Sequence, residues 1–433
     1  MNRSLIEGSS PWTFCACLAL LAAIMSVLAF AAFTQRTAPY NEPLWFMRSQ
    51  VPPTDLSTDA HRLWAVDIPN LNRWAYWAAL KVTGLDRVPC GEPSAWEFKD
   101  GTVYFQGRRG GANWLSPDPS HRNMEWLETF HGKYAPRRAI VAMRMVNLAA
   151  FASMLVFLWL TARMAIGADI PALATVLPFT MMHFWVTTVA SIAVSGDSFL
   201  LPAFALTLFL WTRYHMKGQG VSWRSVIVVG AAAGLATSAK HPGIIMVGAF
   251  GLYLMWHARG WNRIAMPAVA AAAAFAVFVL VNPAVLMYPG ARPWEVLQMM
   301  VDRREEVAAA AATRFGDPGW PELWRKAFFW VPWVPAALAG FWVLRRERWM
   351  APLMFWCVSI IVVTLAGLVL LRNFEARYAL PIELSLYFTV ALMGAALALR
   401  GAAGIRHGAV NEDTARTESA TATADPAVEA ECL

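Results

Sequence analysis

Charge is scarce in this chain. Asp, Glu, Lys and Arg make up 15% of its 433 residues, where soluble domains carry about 25%; an ordinary water-soluble globule is excluded. Short alternating strands of the barrel type are missing, which excludes a transmembrane β-barrel. The five cysteines (Cys15, Cys17, Cys90, Cys357 and Cys432) have no spacing suited to zinc or to a disulfide framework. HExxH-like and CxxC-like metal patterns are absent. No basic run interleaved with aromatics suggests nucleic acid, so the formal net charge of +7 reads as anchoring charge on one side of a membrane. No internal repeat is visible, whereas many transporters are built from paired repeats.

What the chain has in abundance is apolar length. Hydrophobic residues reach 58%, and apolar runs of about 20 residues recur, enough to cross a bilayer core of roughly 30 Å. The expected fold is an all-α polytopic membrane protein with about ten spans, at 12–33, 140–162, 170–192, 198–213, 224–239, 243–258, 264–287, 327–344, 349–371 and 379–399. With a cytoplasmic N-terminus, one side receives Arg3, Arg163, Arg213, Lys217, Arg224, Arg259, Arg263, Arg345, Arg346, Arg348, Arg400 and Arg406. The short connections opposite hold Lys240, Arg372 and Arg377. That asymmetry predicts both termini inside, and an integral protein of a bacterial plasma (inner) membrane is the expected setting. Residues 1–33 read as a cytoplasmic N-terminus and a retained first helix, since their apolar core is too long for a signal peptide. The other expected divisions are an extracytoplasmic loop at 34–139 with interfacial helices, transmembrane helices at 140–289, a second outer loop at 290–326, transmembrane helices at 327–400, and a disordered cytoplasmic tail at 401–433.

The stretch LWAVDIPNLNRWAYW (63–77) places Asp67 in the first outer loop, ahead of a predicted helix over 71–85. Leu71, Trp74, Trp77, Ala78, Leu80 and Val82 share one face of that helix, expected to meet lipid or the bundle. Asp67 has a local reading as the cap of this helix, and Asp197 has the same reading ahead of the fourth span. Lys240 with His241 fits a solvated turn, and Arg372 and Arg377 fit interfacial snorkelling.

Helix order and a few short motifs add a second line. TAPYNEPLWF (37–46), the turn after Asp67, SGDSFLLPAFAL (195–206), GLATSAKHPGIIMV (234–247) and RNFEARYALPI (372–382) resemble the type-C membrane glycosyltransferases, in the group of the protein O-mannosyltransferases and the lipid A aminoarabinose transferases. The resemblance runs over roughly residues 10 to 400. It implies transfer of a sugar from a polyprenyl-phosphate donor on the outer side. The family's early Asp-Glu pair stands here as Asn41-Glu42, and its Asp/His-Pro-Pro turn as Asp67-Ile68-Pro69. The resemblance implies Glu42 or Asp67 as catalytic residues. It further implies Lys240, Arg372 and Arg377 for the donor phosphate and Asp197 in support. Arg144 and Glu383, charges inside apolar spans, are added as supporting candidates.

The residue types suit that chemistry. An acceptor hydroxyl or amine loses a proton as it attacks the anomeric carbon, and a carboxylate in reach takes it. The leaving phosphate needs cations, and Lys240, Arg372 and Arg377 are the basic residues of the short outer turns. Outer tryptophans (Trp45, Trp64, Trp74, Trp77, Trp96, Trp114, Trp126, Trp294, Trp320 and Trp324) suit sugar stacking or an interfacial belt. The implied partners are a polyprenyl-phosphate sugar donor, membrane lipids, and a lipid, glycan or protein acceptor. No cofactor follows from the pattern; a single divalent metal ion between Glu42 and Asp67 is left open. Two competing readings are a transporter or flippase for a lipid-linked or small solute, and a non-catalytic scaffold of the cell envelope, which the missing Asp of the Asp-Glu pair favours.

Overall fold

The computed structural model describes residues 11–34, 42–67, 70–86, 96–99, 102–105, 137–177, 179, 198–216, 221–302, 333–347, 349–370 and 382–402. It opens with α1 (Pro11–Thr34), followed by α2 (Glu42–Ser49), α3 (Asp59–Asp67) and α4 (Leu71–Val82). A hairpin of β1 (Trp96–Lys99) and β2 (Thr102–Phe105) pairs Trp96 with Phe105 and Lys99 with Thr102. The bundle then runs α5 (Arg137–Ile166), α6 (Asp169–Ala174), α7 (Leu200–Met216), α8 (Trp223–Ala239), α9 (Ile244–His257), α10 (Asn262–Val281) and α11 (Ala284–Met287). It continues through α12 (293–302), α13 (Trp333–Leu344) and α14 (Met350–Leu370) to α15 (Ile382–Ala402).

The architecture is helical, with four helices among the described residues long and apolar enough to cross a membrane: α1, α5, α10 and α15. Shorter apolar runs lie in α7, α8, α13 and α14. Two of the expected spans differ from the observed elements. Span 264–287 divides into α10 and α11 because Pro283 follows Asn282, which sits outside the helical region (φ −114°, ψ 73°), as a residue before proline does. Span 170–192 begins as α6, and residues 180–192 lie outside the described residues. The stretch between α4 and α5 also holds the β1–β2 hairpin, which the all-α expectation does not include. Asp100-Gly101 between its strands is the pair that short hairpin connections favour.

Lipid tails are as apolar as leucine, so apolarity alone does not bring membrane helices together; close packing does. α8 and α10 meet this way. A Cβ on Gly230 would lie 2.6 Å from the Ala270 carbonyl oxygen, and one on Gly234 2.4 Å from that of Ala274. The two backbones touch, and α8 and α10 end side by side. A capping box starts α8: Ser222 Oγ accepts from the Ser225 N–H at 3.2 Å, and Ser225 Oγ accepts from the Ser222 N–H at 3.0 Å. The core around Phe151, Trp159, Phe204, Trp356 and Phe388 is fully buried. α1 joins it through Phe14 stacked on Trp159 at 5.1 Å. At that end Asp169 accepts a hydrogen bond from Thr13 Oγ1 at 3.1 Å and pairs with Arg163 at 2.5 Å, tying α1, α5 and α6 together.

Candidate active site

The centre of the candidate site is α4. Its buried residues are Asn72, Arg73, Tyr76 and Leu80, one stripe at helical spacing, while Trp74 and Trp77 are half-buried and Ala78, Lys81 and Val82 are exposed. The buried face is therefore led by Asn72, Arg73 and Tyr76 with Leu80, and of the side expected to meet lipid or the bundle, Trp74 and Trp77 are only partly covered. The cause is what α4 lands on. Helices leave their last carbonyls without intrahelical donors, and three helices end around α4. Asn72 Nδ2 donates to the Ala239 carbonyl at the end of α8, at 3.2 Å. Trp74 Nε1 donates to the Val281 carbonyl at the end of α10, at 2.9 Å. Arg73 Nε donates to the Arg48 carbonyl in α2 at 2.8 Å, and its Nη2 reaches the Val51 and Pro52 carbonyls at 3.4 and 3.2 Å. Ahead of the helix, the Asn70 N–H donates to Asn282 Oδ1 at 2.8 Å. Each such bond contributes a net ~1 kcal/mol, and leaving a buried carbonyl unmet costs ~1–3 kcal/mol.

The opposite half of α4 meets α2 and α5. Tyr76 Oη donates to Asn147 Oδ1 at 2.6 Å, with both residues fully buried. Trp45 of α2 packs edge-on to the Tyr76 ring at 5.7 Å, and Phe46, Leu80, Ile140 and Met143 complete this cluster. Arg144, one turn before Asn147 on α5, is buried. Burial, joined by the neighbouring Arg48 and opposed by Asp55, brings the Arg73 guanidinium down to about 10. Asp55 lies at the mouth of α3. Hydrogen bonds from the Ser57 side chain and N–H, aided by His61, hold its carboxyl down at about 2; His61 Nδ1 is 3.2 Å away.

The candidate residues divide accordingly. Glu42 opens α2 and Asp67 closes α3; their carboxylates lie outside what the structure describes. Asp67 does not stand at the cap of α4, a position held by Asn70. Lys240 ends α8 and is buried, 6% exposed, so it does not form the solvated turn expected. Asp197, Arg372 and Arg377 lie outside the described residues. Glu383 is buried in the first turn of α15, where Ile382 and Leu386 pack on Ala337 and Cys357.

What the fold brings together is the end of α3, the start of α4 and the Lys240 turn. Asp67 lies three residues before Asn70, which bonds to Asn282, and Asn72 bonds to the carbonyl preceding Lys240. Glu42 is one turn before Trp45, which packs on Tyr76 farther along α4. The sequence reading missed Asn70, Asn72, Tyr76, Asn147 and Asn282. Their signal is amide side chains, and for Tyr76 a phenol hydroxyl, inside or next to apolar and aromatic runs, where each must find a partner. Of the outer tryptophans, Trp45 and Trp64 are buried and Trp294 is exposed; Trp114, Trp126, Trp320 and Trp324 lie outside the described residues. Among the described residues no group of three or more His, Cys, Asp or Glu could hold a metal ion.

Comparison with known proteins bears on the bundle. Residues 135–285 match the family model for Dolichyl-phosphate-mannose-protein mannosyltransferase, a segment that contains Arg144, Asp197 and Lys240. No curated protein matches the chain. Among solved structures it is similar to the S. cerevisiae protein O-mannosyltransferase Pmt1-Pmt2 complex bound to the sugar donor, at 17% identity and a TM-score of 0.42. That similarity covers 69% of this chain and 35% of the yeast chain, so this chain spans about a third of its relative's length. With four helices of crossing length and the match over residues 135–285, the chain is an integral membrane protein that resembles the type-C glycosyltransferases of the protein O-mannosyltransferase kind.

Proposed function

We propose that this chain is a membrane glycosyltransferase that moves a sugar from a polyprenyl-phosphate-linked donor to an extracytoplasmic lipid, glycan or protein acceptor. The observation that supports the reading is the docking of α4, which follows Asp67 closely in sequence and bonds through Asn72 to the carbonyl before Lys240, the latter in a bundle segment that matches a mannosyltransferase family. A base and a phosphate-binding cation are the two groups the reaction needs at one place.

In this reading the acceptor oxygen or nitrogen attacks the anomeric carbon and the bond from that carbon to the donor phosphate oxygen breaks. Polyprenyl phosphate departs. Glu42 or Asp67 takes the acceptor proton as general base. Lys240, Arg372 and Arg377 hold the phosphate and offset the charge that grows on it. Arg144, Asp197 and Glu383 support the site's charge balance. The lipid tail stays in the bilayer, so the site opens at the outer interface of a bacterial inner membrane, with both termini in the cytoplasm.

The test is sugar transfer from a lipid-linked donor in proteoliposomes. Removing the general base lowers kcat by about 100-fold or more, so Glu42→Gln or Asp67→Asn shows that loss and identifies the base. Lys240→Met raises the donor KM. Unchanged rates in both acid variants would overturn the assignment.

A further inference from the structure

We propose that Asn72 is a positioning residue for Lys240, an inference that rests on the phosphate-binding role assigned to Lys240 above. α8 ends at Ala239, and the chain leaves it through Lys240 in extended conformation (φ −162°, ψ 146°). The peptide between Ala239 and Lys240 is a rigid plane, and it is held at both edges. Its N–H, on Lys240, donates to the Ala236 carbonyl at 3.1 Å. Its carbonyl, on Ala239, accepts from Asn72 Nδ2 at 3.2 Å. In a continuing helix that carbonyl would accept from the N–H of Gly243. Here the Gly243 N–H turns to the Lys240 carbonyl instead, at 2.8 Å.

The local sequence of α8 and the His241–Gly243 turn thus holds one edge of the plane, and a residue 167 positions away holds the other. Gly243 keeps the turn tight: a Cβ there would lie 2.1 Å from the Ala236 carbonyl oxygen. The torsion that aims the Lys240 side chain begins at this plane. Lys240 is buried, so a small rotation moves its ammonium within a confined space and away from a bound phosphate. Asn72 acts through Lys240 and touches no reacting atom.

The experiment is a two-by-two kinetic comparison in proteoliposomes with a polyprenyl-phosphate sugar donor, using Asn72→Leu and Lys240→Met singly and together. Loss of one hydrogen bond of ordinary strength predicts that Asn72→Leu raises the donor KM about fivefold, with kcat held within about twofold. Asn72→Gln, which keeps an amide donor, returns most of the loss. In the Lys240→Met background Asn72→Leu adds nothing further, the signature of two residues acting as one. A kcat effect without a KM effect, or a full extra loss in the double variant, overturns the positioning role. If Lys240→Met alone leaves the donor KM unchanged, the phosphate role of Lys240 fails first, and the two failures are told apart. Should Asn72→Leu not fold, Asn72→Ser carries the same arms.

Discussion

α8 and α10 meet each other and meet α4 in opposite ways. Along their length they touch through bare backbone, Gly230 against Ala270 and Gly234 against Ala274, with small side chains letting the axes approach. At their ends α4 meets them through side-chain N–H groups, Asn72 on Ala239 and Trp74 on Val281. Inside the bilayer every backbone group is satisfied within its own helix, so shape alone decides the contact. Where the helix stops, its carbonyls need donors from elsewhere, and hydrogen bonding decides it. One contact is strict about volume and the other about chemistry.

The largest effect is expected where volume rules. Gly234→Leu forces a side chain into the Ala274 backbone and costs about 3 kcal/mol or more, seen as a collapse of the thermal midpoint in detergent. Gly251→Ala, on α9 with nothing within 4 Å, leaves the midpoint nearly unchanged; equal losses at both positions would break the distinction.

The polar contact predicts smaller losses that follow donors rather than size. Tyr76→Phe keeps the ring and removes the donor to Asn147, with an expected cost of about 1–2 kcal/mol, partly regained when Asn147→Leu removes the acceptor too. Trp74→Phe, at a half-buried site, costs about 1 kcal/mol in the same melts. An Asn147→Leu partner change that deepens the Tyr76→Phe loss would show that packing, not the hydrogen bond, holds α4.

The smallest effect is electrostatic and lies in the loop ahead of α3. The Asp55 carboxyl titrates at about 2 in the fold against an ordinary value of 3.8. Its contribution is therefore complete above the ordinary value and is lost as the pH falls through about 2. Acid titration of stability should show this step, and Asp55→Asn should flatten it between those two values.

Helix positions were largely legible in the sequence. α1, α5, α7, α8 and α9 lie within a few residues of the ranges read from hydropathy, because an apolar run in a bilayer has helix as its one open-ended solution. The Asn282-Pro283 break and the Asp100-Gly101 hairpin were equally written there and were passed over beside stronger apolar signals. The site was legible by residue type and not by surroundings. Lys240 reads as an outer cation, yet its burial is not visible in sequence, because burial depends on how distant helices pack around it. Tyr76 and Asn147 are 71 positions apart, and neither carries a local pattern that names the other.

By itself, then, the sequence determined that this chain is membrane-embedded and helical, and where α1, α5, α7, α8 and α9 lie. These follow from sums of hydropathy and charge over neighbouring residues. Only the tertiary structure decided that α4 turns its polar stripe inward, that Asn70 and not Asp67 stands at its cap, and that Lys240 sits buried, next to the Ala239 carbonyl that Asn72 holds. Those outcomes depend on matching unmet carbonyls at the ends of α2, α8 and α10 to distant donors, a pairing that exists only once the helices are assembled in space.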